Sequence, residues 1–157
     1  MINWKKGIFS SKYKLFSENE KIGELKEKAF SSCAYGSLDE KQVKFKKKGI
    51  FSSTIEIMDQ TLDENVGHIK FNAWGNKAKI FFEDRELQWK YDNFWGTKWS
   101  ILENGQAVAR YKSSTTSGEI ESAIDDEFLL LAGLFVYNHY VQIAVIVAVS
   151  TAIIASR

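Results

Sequence analysis

Apolar and polar residues alternate along much of this chain, most clearly in "LQWKY" (87–91) and "KAKIFF" (77–82). Alternation with a period of two predicts β-strands that have one buried face. Asn104-Gly105 is a signal for a tight hairpin turn, and Gly75-Asn76 fits one as well. The chain has no proline, which agrees with a structure made mainly of paired strands because proline cannot donate to a strand ladder.

A seven-residue word, "KKGIFSS", occurs at Lys5–Ser11 and again at Lys47–Ser53. The match continues downstream, where "EKIGELKEKAF" (20–30) aligns with "ENVGHIKFNAW" (64–74). A weaker third copy begins at Asp92 with "DNFWGTKWSILENG". Such self-similarity at a fixed period indicates a repeated structural unit.

We interpret the chain as three units over about residues 5–46, 47–90 and 91–126, in which the repeated word marks the first strand. The alternating segments suggest four short strands in each unit. The sequence therefore predicts about twelve strands before the last apolar segment.

That last segment, residues 128–156, carries no charged side chain. We expect one helix over about residues 126–156, in which the uncharged segment alone would be roughly 44 Å long. A helix without a charged stripe must be enclosed by protein, by lipid, or by both. Acidic residues before it and Arg157 after it suit the helix dipole.

The two halves of this helix differ in composition. Leu129–Val136 is rich in leucine, typical of a buried core helix, whereas residues 141–154 are mainly Val, Ile, Thr and Ala. A barrel of about twelve strands has room for the first half. For the part beyond residue 141 both the barrel and a bilayer remain open. The membrane-anchor hypothesis names Tyr140, Ile143, Val145, Ile146, Val149 and Ile153.

We therefore predict a single all-β domain over residues 1–157: an antiparallel barrel of about twelve strands, closed around one long C-terminal hydrophobic helix. The alternative is a β-trefoil with a C-terminal membrane anchor. A β-trefoil is also built from three four-stranded units of about 42 residues.

Composition narrows the classes of function. The net charge of +1 gives no reason to expect a nucleic-acid partner, and the single Cys33 excludes an internal disulfide and a multi-cysteine metal site. No phosphate-binding or nucleophile motif is present, and we expect no cofactor and no metal. The start of the chain has no secretory signal, so a cytoplasmic location is the expectation.

Short strands with a recurring apolar-Gly-apolar-Lys beat, followed by "DDEFLLLAGLFV" at the start of a hydrophobic helix, resemble the tubby C-terminal-like superfamily. That superfamily includes the LURP-one-related proteins and the phospholipid scramblases, and an uncharacterised bacterial-type member fits best. The resemblance implies a twelve-stranded barrel around a hydrophobic helix, and binding to membrane lipids. The chain is shorter than its relatives and lacks an acidic calcium-binding segment of the scramblase kind.

The densest basic cluster is "KQVKFKKK", in which Val43 and Phe45 are predicted to point inward. Several lysines near a surface attract anionic lipid headgroups, although a solvated strand face whose lysines discourage edge pairing is the simpler interpretation. The candidate lipid-binding residues are Lys41, Lys44, Lys46, Lys47 and Lys48.

Other candidates have structural explanations. His68 and His139 have no ligand spacing with Cys33, so both are expected to be structural. The acidic residues 125–127 fit helix capping better than a catalytic pair. Four aromatic residues could contact a bilayer, but their alternation favours core positions: Trp74, Phe94, Trp95 and Trp99.

The function that we predict is a non-enzymatic, membrane-associated protein that binds or tethers lipid, with anionic membrane lipid as its partner. One alternative is a trefoil-type ligand-binding module with a tail anchor. The other is a lipid-transfer or hydrolytic enzyme that uses the acidic cluster.

Overall fold

The structure is a computed structural model that describes residues 1–27, 32–48 and 53–157. In this part of the chain it contains twelve strands and one helix. The strands are β1 Ile2–Lys5, β2 Lys12–Ser17, β3 Glu20–Glu27, β4 Cys33–Leu38, β5 Lys41–Lys47, β6 Thr54–Asp59, β7 Glu64–Phe71, β8 Lys77–Phe82, β9 Arg85–Tyr91, β10 Lys98–Glu103, β11 Gln106–Ser113 and β12 Ser117–Ser122. The helix is α1 Glu127–Ala155.

The strands form one closed antiparallel barrel. Each strand pairs with the next along the chain, and β1 closes the ring by pairing with β12 from Ile2↔Ile120 to Lys5↔Ser117. The predicted barrel of about twelve strands is therefore confirmed. The β-trefoil alternative is wrong, because a single ring of sequential neighbours surrounds the helix.

The core lies between the barrel wall and the first half of α1. Along β5, Val43 and Phe45 are buried while Lys44 and Lys46 lie on the outer side, as the alternation predicted. A barrel of this size is too wide to be filled by its own side chains. The helix fills the lumen, and Leu129–Val136 are all buried in it.

One β-bulge interrupts the second strand pair in each group of four strands. The extra residues are Ile22 in β3, Val66 in β7 and Val108 in β11, each opposite a shift in register. Each extra residue accepts a backbone hydrogen bond from the residue that follows the neighbouring strand. The three N–O distances are 2.8, 3.1 and 2.9 Å, from Asp39, Glu83 and Ala123 respectively.

The recurring apolar-Gly pair in the sequence, Ile22-Gly23 and Val66-Gly67, marks the position of this bulge. Gly23 and Gly67 follow the extra residue, and a Cβ added at either would lie 2.2 or 2.1 Å from the carbonyl oxygen of Ser37 or Phe81. Only glycine lets the two backbones approach this closely. In the third group Ala109 takes this position.

The two ends of the barrel have different connections. The turn end carries the connections at residues 18–19, 39–40, 60–63, 83–84 and 104–105, together with residues 123–126 that lead into α1. The loop end carries those at residues 6–11, 72–76, 92–97 and 114–116, together with the described residues 32, 48 and 53.

The sequence predicts that the repeated word marks the first strand of each unit. The structure shows that this prediction is wrong. Lys5 is the last residue of β1, and residues 6–11 form the connection that follows; Lys47 is the last residue of β5. In the second copy, residues 49–52 lie outside the described residues. In its first copy the word therefore lies at the loop end, where Phe9 is exposed, so its apolar residues do not indicate a strand.

Candidate functional site

The first half of α1 is held by specific contacts with the wall. The indole nitrogens of Trp89 and Trp99 both donate to the carbonyl oxygen of Gly133, at 2.9 and 3.2 Å. Phe135 stacks on Phe45 with ring centroids 4.3 Å apart, and Tyr137 stacks on Trp99 at 3.9 Å. These contacts fix the depth and the rotation of the helix in the lumen.

Asp126 begins this helix at the turn end. Its side chain accepts a hydrogen bond from Leu129 N at 3.2 Å, so the predicted capping role is confirmed. Arg85 makes a bidentate contact with Glu103 and approaches Asp126 at 3.7 Å. The Glu103 carboxylate raises the pKa of Arg85, so a permanent cation lies beside the cap.

A buried polar chain closes the lumen near the loop end. Tyr13 donates to Oδ1 of Asn138 at 3.0 Å, and Nδ2 of Asn138 donates to Glu27 at 2.8 Å. Glu27 is only 3% exposed. Burial raises its pKa, against the opposing effects of the Asn138 hydrogen bond and the nearby Lys47 charge.

The residues at the mouth tie the helix to the loop end. The Tyr140 hydroxyl donates to the carbonyl oxygen of Lys77, and the ring of His139 stacks on Phe71 at 4.1 Å. Tyr140 is 6% exposed, so this predicted anchor residue belongs to the mouth of the barrel. Beyond Tyr140 the helix leaves the barrel.

The second half of α1 has no protein around it. Every residue from 143 to 157 is exposed, including the predicted anchor residues Ile143, Val145, Ile146, Val149 and Ile153. Ser150 and Thr151 donate their hydroxyl groups to carbonyl oxygens one turn back, each at 2.9 Å. Among the described residues α1 is the one helix long and apolar enough to cross a membrane, and part of it is buried in the barrel.

The two ends of the barrel differ in charge. The connections of the turn end, all within the described residues, hold eight acidic residues and no Lys or Arg. The acids are Glu18, Asp39, Glu40, Asp63, Glu83, Asp84, Asp125 and Asp126. In the described part of the loop-end connections the one acid is Asp92, which accepts a hydrogen bond from the Ser100 hydroxyl. The helix emerges at this less acidic end.

The predicted lysine cluster is divided between these ends. Lys46, Lys47 and Lys48 lie at the loop end, and Lys44 lies midway along the wall with its ammonium group 5.8 Å from the Tyr35 ring centroid. Lys41 begins β5 at the turn end, 5.9 Å from the Phe128 ring centroid. Three of the five predicted lysines therefore share the end from which the helix emerges.

Three of the four aromatic residues expected in the core are on the surface. Trp99 is fully buried, but Trp74, Phe94 and Trp95 are 88%, 94% and 81% exposed. All three lie in loop-end connections. The expectation was wrong for them because they follow the strands instead of belonging to them, so alternation does not apply.

The residues considered for metal or nucleophile chemistry do not form a site. His68 stacks on Phe81 at 4.5 Å on the outer wall, whereas His139 is at the mouth of the lumen. In the described parts of the chain no three His, Cys, Asp or Glu side chains are grouped to hold a metal ion. A surface groove of about 670 Å³ runs along β1 and β12 and is lined by Asn3, Lys5, Phe16, Lys112, Ser117 and Glu119.

The fold defines the class of protein: a closed twelve-stranded antiparallel barrel whose C-terminal helix passes through the lumen and extends beyond it. No protein-family model, curated protein or solved structure matches the chain. The tubby-like resemblance therefore stays a prediction.

Proposed function

We propose that this protein is a non-enzymatic, membrane-associated lipid-binding or tethering protein, held at the bilayer by the exposed half of α1. The observation that carries the proposal is the division, just beyond Tyr140, of one helix that has no charged side chain after Glu127. The helix is buried in the barrel as far as Tyr140, Val141 and Gln142 are half-buried at the mouth, and residues 143–155 are exposed on every side.

The exposed half suits a lipid environment because apolar side chains lie on every face of the helix. Val145, Ile146, Val147 and Val149 follow closely along the helix and therefore point in different directions, and each is more than half exposed. A second protein helix would cover only one face. A helix that is apolar all round is stable only when it is enclosed on all sides, and acyl chains provide such an enclosure.

The length of the exposed half suits insertion from one side. Residues 143–155 cover roughly 20 Å as a helix, against a hydrocarbon core of about 30 Å. Tyr137 and Tyr140 at the mouth are the kind of residue enriched where a helix crosses the interface. We therefore place the membrane surface at the loop end of the barrel.

The charge distribution favours the cytoplasmic face. Lysines follow the positive-inside rule when they lie close to the end of an inserted helix, and the cytoplasmic leaflet carries the anionic lipids. Lys46, Lys47 and Lys48 lie at the end from which the helix emerges. Anionic membrane lipid is the partner that we propose for them.

Vesicle flotation tests the anchor. In the full chain, Ile146→Asp with Val149→Asp puts two carboxylates near the centre of the exposed half, at a cost of about 3 kcal/mol each in a bilayer. We expect binding to neutral phosphatidylcholine vesicles to fall by at least about 100-fold. Near-ultraviolet circular dichroism should stay unchanged, because neither residue touches the tryptophans of the lumen.

The matched control is Ile146→Leu with Val149→Leu, which keeps the segment apolar and should float like the original chain. Equal flotation of the aspartate variant would show that this segment does not enter lipid. An original chain that stays monodisperse without detergent and never floats would refute the membrane association itself.

A further inference from the structure

Two loops of the loop end share one six-residue pattern, Asn-x-Trp-Gly-(Asn/Thr)-Lys. It reads "NAWGNK" at residues 72–77 and "NFWGTK" at residues 93–98. The first loop joins β7 to β8 and the second joins β9 to β10. These positions do not correspond in the threefold repeat, so the pattern recurs independently of it.

The first asparagine of each pattern closes its loop in the same way. Oδ1 of Asn72 accepts from the backbone N of Asn76 and Lys77, at 3.3 and 3.2 Å. Oδ1 of Asn93 accepts from the backbone N of Thr97 and Lys98, at 3.0 and 3.1 Å.

A second bond braces each loop across its base. The Asn72 amide donates to Oδ1 of Asn76, and the Asn93 amide donates to Oγ1 of Thr97, both at 2.7 Å. The glycine of each pattern has a positive φ, +70° at Gly75 and +67° at Gly96, a conformation that a side chain disfavours. Both loops therefore have a defined shape that presents the tryptophan.

The two loops lie next to each other and next to the emerging helix. Strands β8 and β9 are neighbours, and the backbone N of Tyr91 donates to the carbonyl oxygen of Asn76 at 3.4 Å. The Tyr140 hydroxyl of α1 contacts Asn72 at 3.3 Å. Trp74, Phe94 and Trp95 are thus displayed beside the point where the helix leaves the barrel.

Lysines surround this apolar surface, and their mutual repulsion lowers the stability of the barrel. In the described part of the wall, five registers place lysine directly opposite lysine, all within three residues of the loop end of their strands. The pairs are Lys5–Lys14, Lys12–Lys26, Lys70–Lys79, Lys77–Lys90 and Lys98–Lys112. Like charges directly opposite each other destabilise a sheet, so an anionic surface against this end would relieve the repulsion.

Carboxylates relieve the repulsion only in part. Lys12, Lys79 and Lys112 reach a glutamate at 3.4, 3.4 and 3.6 Å, but exposed pairs of this kind contribute little to stability. The loop end therefore combines a positive rim with exposed aromatic tips.

We propose that the two braced tryptophan loops and the lysine rim form a second membrane-contacting surface, which places the loop end in the headgroup region of an anionic bilayer. This inference rests on the proposed function and adds to it. Tryptophan prefers the interface between headgroups and acyl chains, and lysine reaches the phosphates above it. With the helix on one side and the loops beside it, the barrel axis stands upright and the acidic turn end faces away from the membrane.

The bilayer fits this surface better than a protein or a glycan does, because the same end also carries the helix that needs acyl chains. Each exposed tryptophan is followed three residues later by a lysine, Lys77 or Lys98. This order places an aromatic tip ahead of a cation, as at a membrane interface.

Tryptophan fluorescence provides a direct test in the full chain. Trp74 and Trp95 are the exposed tryptophans, whereas Trp4, Trp89 and Trp99 are fully buried. The probe is a vesicle of phosphatidylcholine and phosphatidylglycerol that contains phosphatidylcholine brominated near the headgroup. We expect quenching in the original chain to be at least about twofold greater than in Trp74→Phe with Trp95→Phe, which keeps only the buried reporters.

The outcomes separate this inference from the anchor. If the chain floats with vesicles but Trp74 and Trp95 remain as accessible to iodide as in buffer, the second surface is refuted while the anchor stands. A surface built for a protein or a glycan would give this result. If the chain does not float at all, both proposals are refuted.

The lysine rim is tested on the Ile146→Asp, Val149→Asp chain, in which the anchor is disabled. We expect this chain to keep a salt-sensitive affinity for the anionic vesicles, which Lys77→Glu with Lys98→Glu lowers by at least about tenfold. The matched control is Lys21→Glu with Lys41→Glu at the turn end, which should change the affinity by less than about twofold. Equal losses in both variants, or no residual affinity, would refute the role of the rim.

Discussion

The two halves of α1 belong to one helix that carries no charged side chain after Glu127. They differ in the partners that their side chains have. In the inner half, Tyr137 and Asn138 have partners on the wall, and the carbonyl of Gly133 accepts from two tryptophans. In the outer half, Ser150 and Thr151 bond only to their own helix. The inner half has one set of neighbours, whereas the outer half needs only an apolar solvent.

This difference shows that an uncharged helix does not by itself indicate where it lies. Rings and leucines with matched partners indicate a place inside protein, because close packing there selects shape. Branched aliphatic residues without partners fit the lipid environment that we propose for the outer half, because lipid makes no such selection. Substitutions in the two halves should therefore have unequal effects on the stability of the barrel.

The largest inequality should come from Phe135→Ala. Phe135 is 1% exposed and stacks on Phe45, so its removal leaves a cavity in the lumen and should lower the free energy of unfolding by about 4 kcal/mol. Val147→Ala in the outer half, 58% exposed, should change it by less than about 0.5 kcal/mol. Chemical denaturation in one detergent, followed by tryptophan fluorescence, compares the two. Equal losses would show that the outer half also packs on the barrel.

A smaller loss is expected from Asn138→Ala. Asn138 is the shared partner of Tyr13 and Glu27, and its removal leaves both buried groups without that hydrogen bond, at a cost of about 2 kcal/mol. Ser150→Ala is the control from the outer half and should be nearly neutral. The same denaturation series gives both values. A neutral Asn138→Ala would mean that water replaces the amide at the mouth.

The start of the inner half should respond more weakly still. Asp126→Ala removes the side-chain cap on Leu129 N and the carboxylate that faces Arg85, and should cost about 1 kcal/mol. Asp125→Ala removes the same charge one residue earlier without the cap. The difference between the two variants in thermal unfolding gives the combined effect of the cap and the Arg85 contact, apart from the loss of one negative charge. If Asp125→Ala costs as much, the effect arises from charge alone.

Much of the barrel could be predicted from the sequence, because a repeated unit multiplies a weak strand signal. Alternation placed Val43 and Phe45 inside, and the beat at Gly23 and Gly67 marked positions where the backbones approach too closely for a side chain. Alternation could not show that Phe9 and Trp74 follow the ends of strands, since period two has no meaning in a loop. The recurring Asn-x-Trp-Gly pattern was the available signal for the exposed loops.

The contacts at the mouth of the barrel could not be predicted from the sequence. Glu27 and Asn138 are far apart in the chain and meet only because the helix threads the lumen to a particular depth. Lys41 and Lys47 lie in one strand, yet the strand carries them to opposite ends of the barrel. Contacts of this kind depend on closure of the ring, which no local pattern records.

The smallest expected effect lies at Glu27, on the boundary between the two halves. Burial raises its pKa, so the folded state holds its proton more tightly than the unfolded state does. Its contribution to stability is present in full below the ordinary carboxyl pKa and is lost as the pH rises through the raised value. Glutamine at this position cannot titrate, so Glu27→Gln should remove this loss. At neutral pH the free energy of unfolding of the variant should equal that of the original chain or exceed it by up to about 1 kcal/mol.

The measurement is the slope of the unfolding free energy against pH, between roughly pH 5 and pH 8. Glu24→Gln is the control of opposite sign. The hydrogen bond from Lys21 lowers the pKa of Glu24, so the contribution of Glu24 is present above the ordinary carboxyl pKa and is lost only in acid. If Glu27→Gln keeps the slope of the original chain, the mouth of the barrel is hydrated and the boundary between the two halves of α1 lies deeper in the lumen than Asn138.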